Sequence, residues 1–385
     1  MSRINDLIKE MCPHGVEYKL LKDVSEMKRG QSITTKNLKV GKIPVIAGGQ
    51  EPSFYNDKYN REGETITVSS SGAYAGFLNY WNEPILCTDS FSIKAKKLNI
   101  RYLYHYLKMK QNEIYNKKRG AGIPHVHISD LEKFEIPCPP LEVQGEMVRI
   151  LDKFGKLEAE LEAELEARKS QYEFWRGKLF EKENVKYMKI SEFAKCYAGA
   201  TPSTSHSEYW ENGTIPWMSS GEVNNIEIYD TEKKINELGY NLSSTKMLPI
   251  NTVVVALAGQ GKTRGLVAIT RKEVCTNQSL CGIVPDERVD NEYLFYYLQS
   301  RYKDLRRISS GDGTRGGLNL KMINDYEVPV PDIDEQKKII SILNKFSRLV
   351  NSYTDGIPAE IKLRRKQYEY YRNKLLSFEE LGVSE

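Results

Sequence analysis

Nothing in the 385-residue sequence approaches the ~18 uninterrupted apolar residues of a membrane span. Its first residues, MSRINDLIKEM, lack a secretory signal's apolar stretch and small-residue cleavage site. Both absences lead us to expect a cytoplasmic chain that does not engage a membrane. The six cysteines, Cys12, Cys87, Cys138, Cys196, Cys275 and Cys281, are scattered without a Cys-x-x-Cys pair. That excludes the common zinc and redox spacings and leaves reduced, mostly structural thiols. Of five histidines only His125 and His127 stand close; with no third ligand nearby, they read as polar loop contacts rather than a metal site.

Catalytic motifs are missing as well. There is no His-Glu-x-x-His and no Gly-x-Ser-x-Gly. An amino-methyltransferase would carry Asn/Asp-Pro-Pro-aromatic, and the Cys-Pro-Pro triplet at 138–140 lacks both the polar residue before it and the aromatic after it. Pro331 and Asp332 followed by Glu335 and Lys337 echo the acidic constellation of metal-dependent nucleases. Asp332 as a helix N-cap with Glu335 three residues on explains the same letters as a capping box. The stretch AGQGKTRG at 258–265 resembles a phosphate-binding loop, but that motif requires glycine where this chain has Ala256.

What the chain does have is a repeat, which takes precedence over local readings. EIPCPPLEVQ at 135–144 superposes on EVPVPDIDEQ at 327–336, and RKSQYEFWRGKL at 168–179 on RRKQYEYYRNKL at 364–375. The offset grows from 192 to 196, so the second copy has gained four residues. Val16 and Tyr18 match Val185 and Tyr187, Gly30 matches Gly199, Ile43 and Pro44 match Ile215 and Pro216, and YLYHYL at 102–107 matches YLFYYL at 293–298. Those two aromatic stretches read as helix core. In both copies a β-branched strand runs into a glycine-rich loop, GETITVSSSGAYAG at 63–76 and NTVVVALAGQGKTRG at 251–265.

The ends of the repeats alternate apolar steps of four and three, the coiled-coil heptad. In the first copy the seam is Met147, Leu151, Phe154, Leu161, Leu165, Tyr172, Trp175 and Leu179, interrupted by Glu158 and Arg168. In the second it is Ile339, Leu343, Phe346, Val350 and Tyr353, resumed by Ile361, Arg364, Tyr368, Tyr371 and Leu375 after a break containing Gly356 and Pro358. The expected fold is α+β: two mixed α/β domains in pseudo-symmetric tandem, separated by two long antiparallel coiled-coil helices of roughly 60 Å each. The expected boundaries are a helical segment at 1–17, a first domain at 18–140, a central spacer helix at 141–184, a second domain at 185–332, a C-terminal spacer helix at 333–378 and a tail at 379–385. The alternative is that each seam packs on its own domain as core. Residues 18–140 hold 19 Lys and Arg against 12 Asp and Glu, a balance of +7, whereas 187–332 hold 16 against 18, a balance of −2. Only the first block is basic enough overall for a nucleic-acid footprint.

The duplicated IPCPPLEVQ and VPVPDIDEQ segments, the paired helix ends, the opening CPHGVEYKLLKDV and the GKTRG of the second block together resemble the DNA specificity subunits of type I restriction-modification systems, over essentially the whole chain. The resemblance implies a non-catalytic subunit whose two target-recognition domains each read half of a split sequence in double-stranded DNA. It implies docking of methylation subunits, two by expectation, and of restriction subunits. The chain itself would hold no cofactor; S-adenosylmethionine, ATP and magnesium belong to the partners. The residues expected to meet DNA are Arg29, Gln31, Ser70, Ser71, Tyr74, Lys117, Lys118, Arg119 and His125 in the first domain, and Gln260, Lys262, Thr263, Arg264 and Arg315 in the second, with lysine and arginine suited to phosphates or guanine edges and glutamine to adenine. A coiled-coil scaffold or adaptor not dedicated to DNA is the alternative reading. Arg264→Ala is expected to weaken binding to one half-site, and Trp175→Ala to loosen the helix pair. In gel shifts with each half-site scrambled in turn, an Arg264→Ala chain of unchanged affinity and salt dependence removes the loop assignment.

Overall fold

A computed structural model describes residues 2–33, 39–120, 122–259, 263–309 and 317–381. They form two compact units, Met1–Glu162 with Glu360–Glu385, and Ala163–Ala359. In the first unit, strand Thr65–Ser69 is buried along its length, as its alternating threonine and β-branched residues favour. It lies inside a four-stranded antiparallel sheet ordered Ser25–Arg29, Ser90–Ala95, Thr65–Ser69, Leu78–Trp81. A second sheet joins Phe54–Asn56, Ile43–Ile46 and Leu86–Cys87. The second unit repeats the plan. Its main sheet is ordered Ala194–Ala198, Leu280–Pro285, Val253–Ala256, Val267–Thr270, Glu227–Ile228, and its small one Lys233–Ile235, Ile215–Met218, Cys275–Thr276.

The repeated letters have repeated physical jobs. Helix Ile100–Met109 carries YLYHYL, and Tyr102 and Tyr106 donate their hydroxyls to the carbonyls of Pro137 and Glu135, at 3.0 Å in both cases. Helix Asn291–Ser300 carries YLFYYL, and Tyr293 and Tyr297 donate to Pro329 at 2.8 Å and Glu327 at 3.3 Å. The acceptors lie on the short strands Glu135–Pro137 and Glu327–Pro329, which pair antiparallel with Tyr18–Leu20 and Tyr187–Lys189. The aromatic stretches are therefore core, as their sequence suggested, with the phenols of Tyr102, Tyr106, Tyr293 and Tyr297 satisfied.

One turn later stands a buried glutamine in each unit, Gln144 and Gln336, exposed by 1% and 0%. Gln144 accepts from the backbone N–H of Asn99 at 2.8 Å and donates to Pro139 at 2.7 Å. Gln336 accepts from Asp290 at 2.8 Å and donates to Pro331 and Arg288, both at 2.9 Å. Asn99 and Asp290 are themselves the N-caps of the aromatic helices. Each glutamine thus ties the start of a domain helix to the start of a long helix. Asp332 caps its helix by accepting from the Glu335 backbone at 2.9 Å. Both acids of the nuclease-like echo open a helix, and the Glu335 carboxylate pairs with Lys182.

Helix Leu141–Lys178 begins in the first unit and ends in the second, while Ile333–Asn351 and Ile357–Leu376 replace one long C-terminal helix. The break falls at the predicted insertion, where Gly356 packs against the carbonyls that end the preceding helix: a methyl there would lie 2.6 Å from the Arg348 oxygen. In the first unit the early half of the central helix meets the last helix antiparallel. Phe154 stacks on Tyr371 at 5.5 Å, and Arg365 reaches Glu158 at 2.5 Å and Glu162 at 2.6 Å. Met147, Leu151 and Leu375 are buried in that unit's core, with Phe154 and Tyr368 packed against it. In the second unit Tyr172, Ile339, Leu343 and Val350 are core, with Leu165, Leu179 and Phe346 against them, and the Tyr172 and Phe346 rings lie 6.5 Å apart. The seams therefore serve both expectations, pairing helices and closing domain cores. Leu161 is half-buried.

Two residues expected in the seam lie outside it. Trp175 is 38% exposed and its ring meets exposed Phe174 edge-on, while Arg176, one residue on, lies over the buried Tyr172 ring at 5.4 Å. A strict seven-residue pattern drifts by about 20° per heptad on a straight α-helix, and by the fifth heptad the inward face has moved one residue on. Tyr353 is 77% exposed because the helix has already ended at Asn351, so heptad phase no longer places it.

His105 links three helices of the first unit. Its Nε2 lies 2.8 Å from Asp152 Oδ1 and its Nδ1 3.2 Å from the Tyr368 hydroxyl. Burial pushes the imidazole below its ordinary value, more than the Asp152 contact raises it, and Arg101 and Arg372 push the same way as burial. Asp152 is held below the usual carboxylate range: burial opposes this, but His105 and Arg101 outweigh it. The sign follows. Above about pH 6.5 the ring is neutral folded and unfolded; below that, the unfolded chain takes the proton first, so stability falls with pH until the folded value is passed. Lowering the buffer from about pH 7.5 to about pH 5.5 is therefore expected to lower the melting temperature of the first unit, and His105→Gln to flatten that dependence. An unchanged slope in His105→Gln contradicts the assignment.

Candidate nucleic-acid interface

In the first unit Arg29 is level with Phe91, Phe91 with Val68 and Val68 with Leu78. Strands therefore leave and enter the sheet together, and their loops share one end. In the second unit Ala198, Cys281, Val255 and Val267 form the matching row. The glycine-rich loops that the sequence paired are closed by equivalent hydrogen bonds. Gly76 donates to Ser69 at 2.8 Å and Phe77 to Tyr74 at 2.9 Å; Gly265 donates to Ala256 and Leu266 to Thr263, both at 2.9 Å. Gly76 and Gly265 have φ of +84° and +82°, where a side chain is disfavoured. Both loops close hairpins, Thr65–Ser69 with Leu78–Trp81 and Val253–Ala256 with Val267–Thr270. A phosphate-binding loop instead opens a helix whose N–H groups cradle the phosphates, so AGQGKTRG has the wrong continuation for that role.

The structure brings the expected residues of the first domain to this end. Arg29 and Gln31 are exposed there, and the Gln31 N–H donates to the Cys87 carbonyl at 3.0 Å. Ser70 and Gly72 are stitched to the segment after helix Gln111–Tyr115: Val126 donates to Ser70, and Gly72 to Pro124, both at 3.0 Å. Arg119 and His125 exchange backbone hydrogen bonds at 3.0 and 2.7 Å, and the His125 ring stacks on His127. Lys118 reaches the Ala73 carbonyl at 3.1 Å and covers the Tyr115 ring, beside exposed Lys117 and near exposed Tyr74. Ser71 donates its hydroxyl to Asp89.

Arg119 is less free than its sequence suggested. It pairs at 2.6 Å with the buried Asp130, whose other oxygen accepts from the His127 backbone at 2.9 Å. Its guanidinium therefore anchors the segment as well as facing solvent. In the second domain Thr263 lies 3.4 Å from the Ala258 carbonyl, and Arg264 is half-buried. Gln260, Lys262 and Arg315 lie outside the described residues. Thr88, Asp89, Asn277 and Gln278, which are not among the expected residues, connect the small sheet to the large one at this same end. The signal was there, as LCTDS in one copy and VCTNQS in the other.

The family model for the type I restriction modification DNA specificity domain matches residues 13–167 and again 182–363. The chain belongs to the type I DNA specificity subunits. Over 84% of its length this subunit is 37% identical to 88% of the specificity subunit of the type I restriction enzyme EcoR124I/EcoR124II from Escherichia coli. A putative type I specificity subunit of Haemophilus influenzae is 30% identical over 94% of this chain and 96% of its own. The crystal structure of a type I S subunit from M. genitalium superposes with a TM-score of 0.60, covering 94% of this chain and 96% of that one at 18% identity, a likeness of fold. The specificity subunit thus carries two tandem recognition domains, and the reading as an adaptor unconnected with DNA falls away.

Removing the Arg119 guanidinium leaves a buried carboxylate oxygen of Asp130 without its charged partner, at a cost of about 1–3 kcal/mol at most, because the guanidinium side of the pair is open to water. Arg119→Ala is expected to raise amide exchange at 117–127 well above that of the sheet. Unchanged protection there means that the pair does not hold the segment.

Proposed function

We propose that this specificity subunit has no catalytic activity of its own and directs a methylation and restriction complex to a split target in double-stranded DNA, one half-site per domain. The observation that carries this reading is the contrast within the repeat. The two loop-bearing sheet ends share a backbone frame but present different side chains, as expected of two readers of different bases rather than of one duplicated catalytic or nucleotide site. Arg29, Lys117 and Lys118 supply sequence-independent attraction to phosphates in the first domain; the second, with a balance of −2, must concentrate its positive charge at the loops.

Methylation subunits, two in number, and restriction subunits are the proposed protein partners. S-adenosylmethionine, ATP and magnesium are assigned to them, and the complex is placed in the cytoplasm. The exposed aromatics Phe174 and Trp175 are the kind of surface that such partners cover.

Mapping methylated bases in host DNA with and without this chain tests the proposal, with the methylation subunit present in both. Modification is expected at one two-part motif, only when the chain is present. A chain that methylates DNA alone, or that leaves the methylation pattern unchanged, contradicts it.

A further inference from the structure

The connection from the small sheet to the large one sits, in each unit, between the two loops at the exposed end. In the first unit it is Thr88 and Asp89, between Leu86–Cys87 and Ser90–Ala95. In the second it is Asn277, Gln278 and Ser279, between Cys275–Thr276 and Leu280–Pro285. Its backbone is held from three directions by equivalent hydrogen bonds. Thr88 donates to Ile46 at 2.8 Å, Gln31 to Cys87 at 3.0 Å, and Ser70 to Asp89 at 3.2 Å. Asn277 donates to Met218 at 3.1 Å, Ala200 to Thr276 at 2.9 Å, and Leu257 to Ser279 at 2.8 Å. The repeated glycines let a neighbouring loop approach this closely. A methyl at Gly30 would lie 2.0 Å from the Thr88 carbonyl oxygen, and one at Gly199 2.2 Å from that of Thr276.

On this rigid tip the exposed side chains differ in kind. The first domain presents Asp89, and the second presents Gln278. Each is oriented by a hydroxyl from an adjoining loop: Ser71 Oγ donates to Asp89 Oδ2, and Thr201 Oγ1 to Gln278 Oε1. Fixing a carboxylate on a surface that meets a polyanion is unfavourable unless the carboxylate accepts a hydrogen bond from a base. The exocyclic amino group of cytosine is the matching donor in the major groove. A carboxamide held at Oε1 keeps one lone pair there and both Nε2 hydrogens, the acceptor and donor that match N6 and N7 of adenine.

We propose that this connection is the base-reading tip of each domain, with Asp89 accepting from the N4 amino group of a cytosine and Gln278 making the two-point contact to an adenine. Ser71 and Thr201 are the positioning residues behind them. The inference rests on the DNA-reading role proposed above and names the atoms that perform it.

The test is selection, at one salt concentration, from a DNA pool with both half-sites randomised, using the full chain in complex with its methylation subunits. Wild type is expected to select a cytosine through the first domain and an adenine through the second. Gln278→Ala should relax one adenine position by roughly ten- to a hundredfold and leave the other half-site as it was. Gln278→Glu should turn that position from adenine towards cytosine, and Asp89→Asn should turn its position from cytosine towards adenine. Thr201→Val should weaken the same adenine preference as Gln278→Ala, by less. Preferences unchanged at every position, or a uniform loss across all sequences with a shallower salt dependence, overturns the proposal. A wild-type selection without a two-part consensus overturns instead the DNA-reading role on which it rests.

Discussion

The arrangement depends on one buried contact made twice. Gln144 and Gln336 each accept from the N-terminal cap of a domain helix and donate to the proline carbonyl that precedes a long helix. A buried amide in that place is strongly constrained, because replacing it orphans a backbone N–H at about 1–3 kcal/mol. The tyrosine hydroxyls on Pro137, Glu135, Pro329 and Glu327 add to the same joint. Together they fix how each domain helix sits on its own short strand pair and long helix. The sheets packed on those helices inherit that placement, and so do the loops at the sheet ends.

Above this joint the two copies are free to differ. The hydrogen bonds that shape the glycine-rich hairpins and the short connections are shared between units, since they are backbone to backbone and indifferent to the side chain. Ser70, Ser71 and Asp89 in one copy are replaced by Leu257, Ala258 and Ser279 in the other, with Gln278 added, without disturbing the frame. The same separation appears under the helices. Arg101, Asp152 and His105 in the first unit are replaced by Glu292, Asn344 and Tyr296, again linked by hydrogen bonds, with Tyr296 on Asn344 at 2.5 Å and Asn344 on Glu292 at 2.8 Å. The geometry is kept while the charges are exchanged, so the pH response expected of the first unit has no histidine to produce it in the second.

What the sequence made legible was what the joint uses. EIPCPPLEVQ and EVPVPDIDEQ repeat because Pro137, Gln144, Pro329 and Gln336 carry those contacts, and Gly30 and Gly199 repeat because a side chain there would strike the carbonyls of Thr88 and Thr276. The heptad was legible only in part. Met147 and Leu151 obey it, but drift on a straight helix carries Trp175 out of the seam, and the end of the helix at Asn351 releases Tyr353. Arg119 was singled out for its charge, though its buried partner Asp130 lies eleven residues away and across a turn. Asp89 and Gln278 went unremarked because a connection of two or three residues leaves little periodicity to read, and because an acid is not what a search for DNA contacts looks for.

If a common frame holds interchangeable readers, grafting the loops of one domain onto the other moves its base preference with them. Residues 69–77 and 88–89 would be replaced by 256–266 and 277–279, and the modified motif mapped base by base. The first half-site is expected to change to the bases of the second while the other half stays as it was. A folded graft that still selects its original first half-site would contradict it.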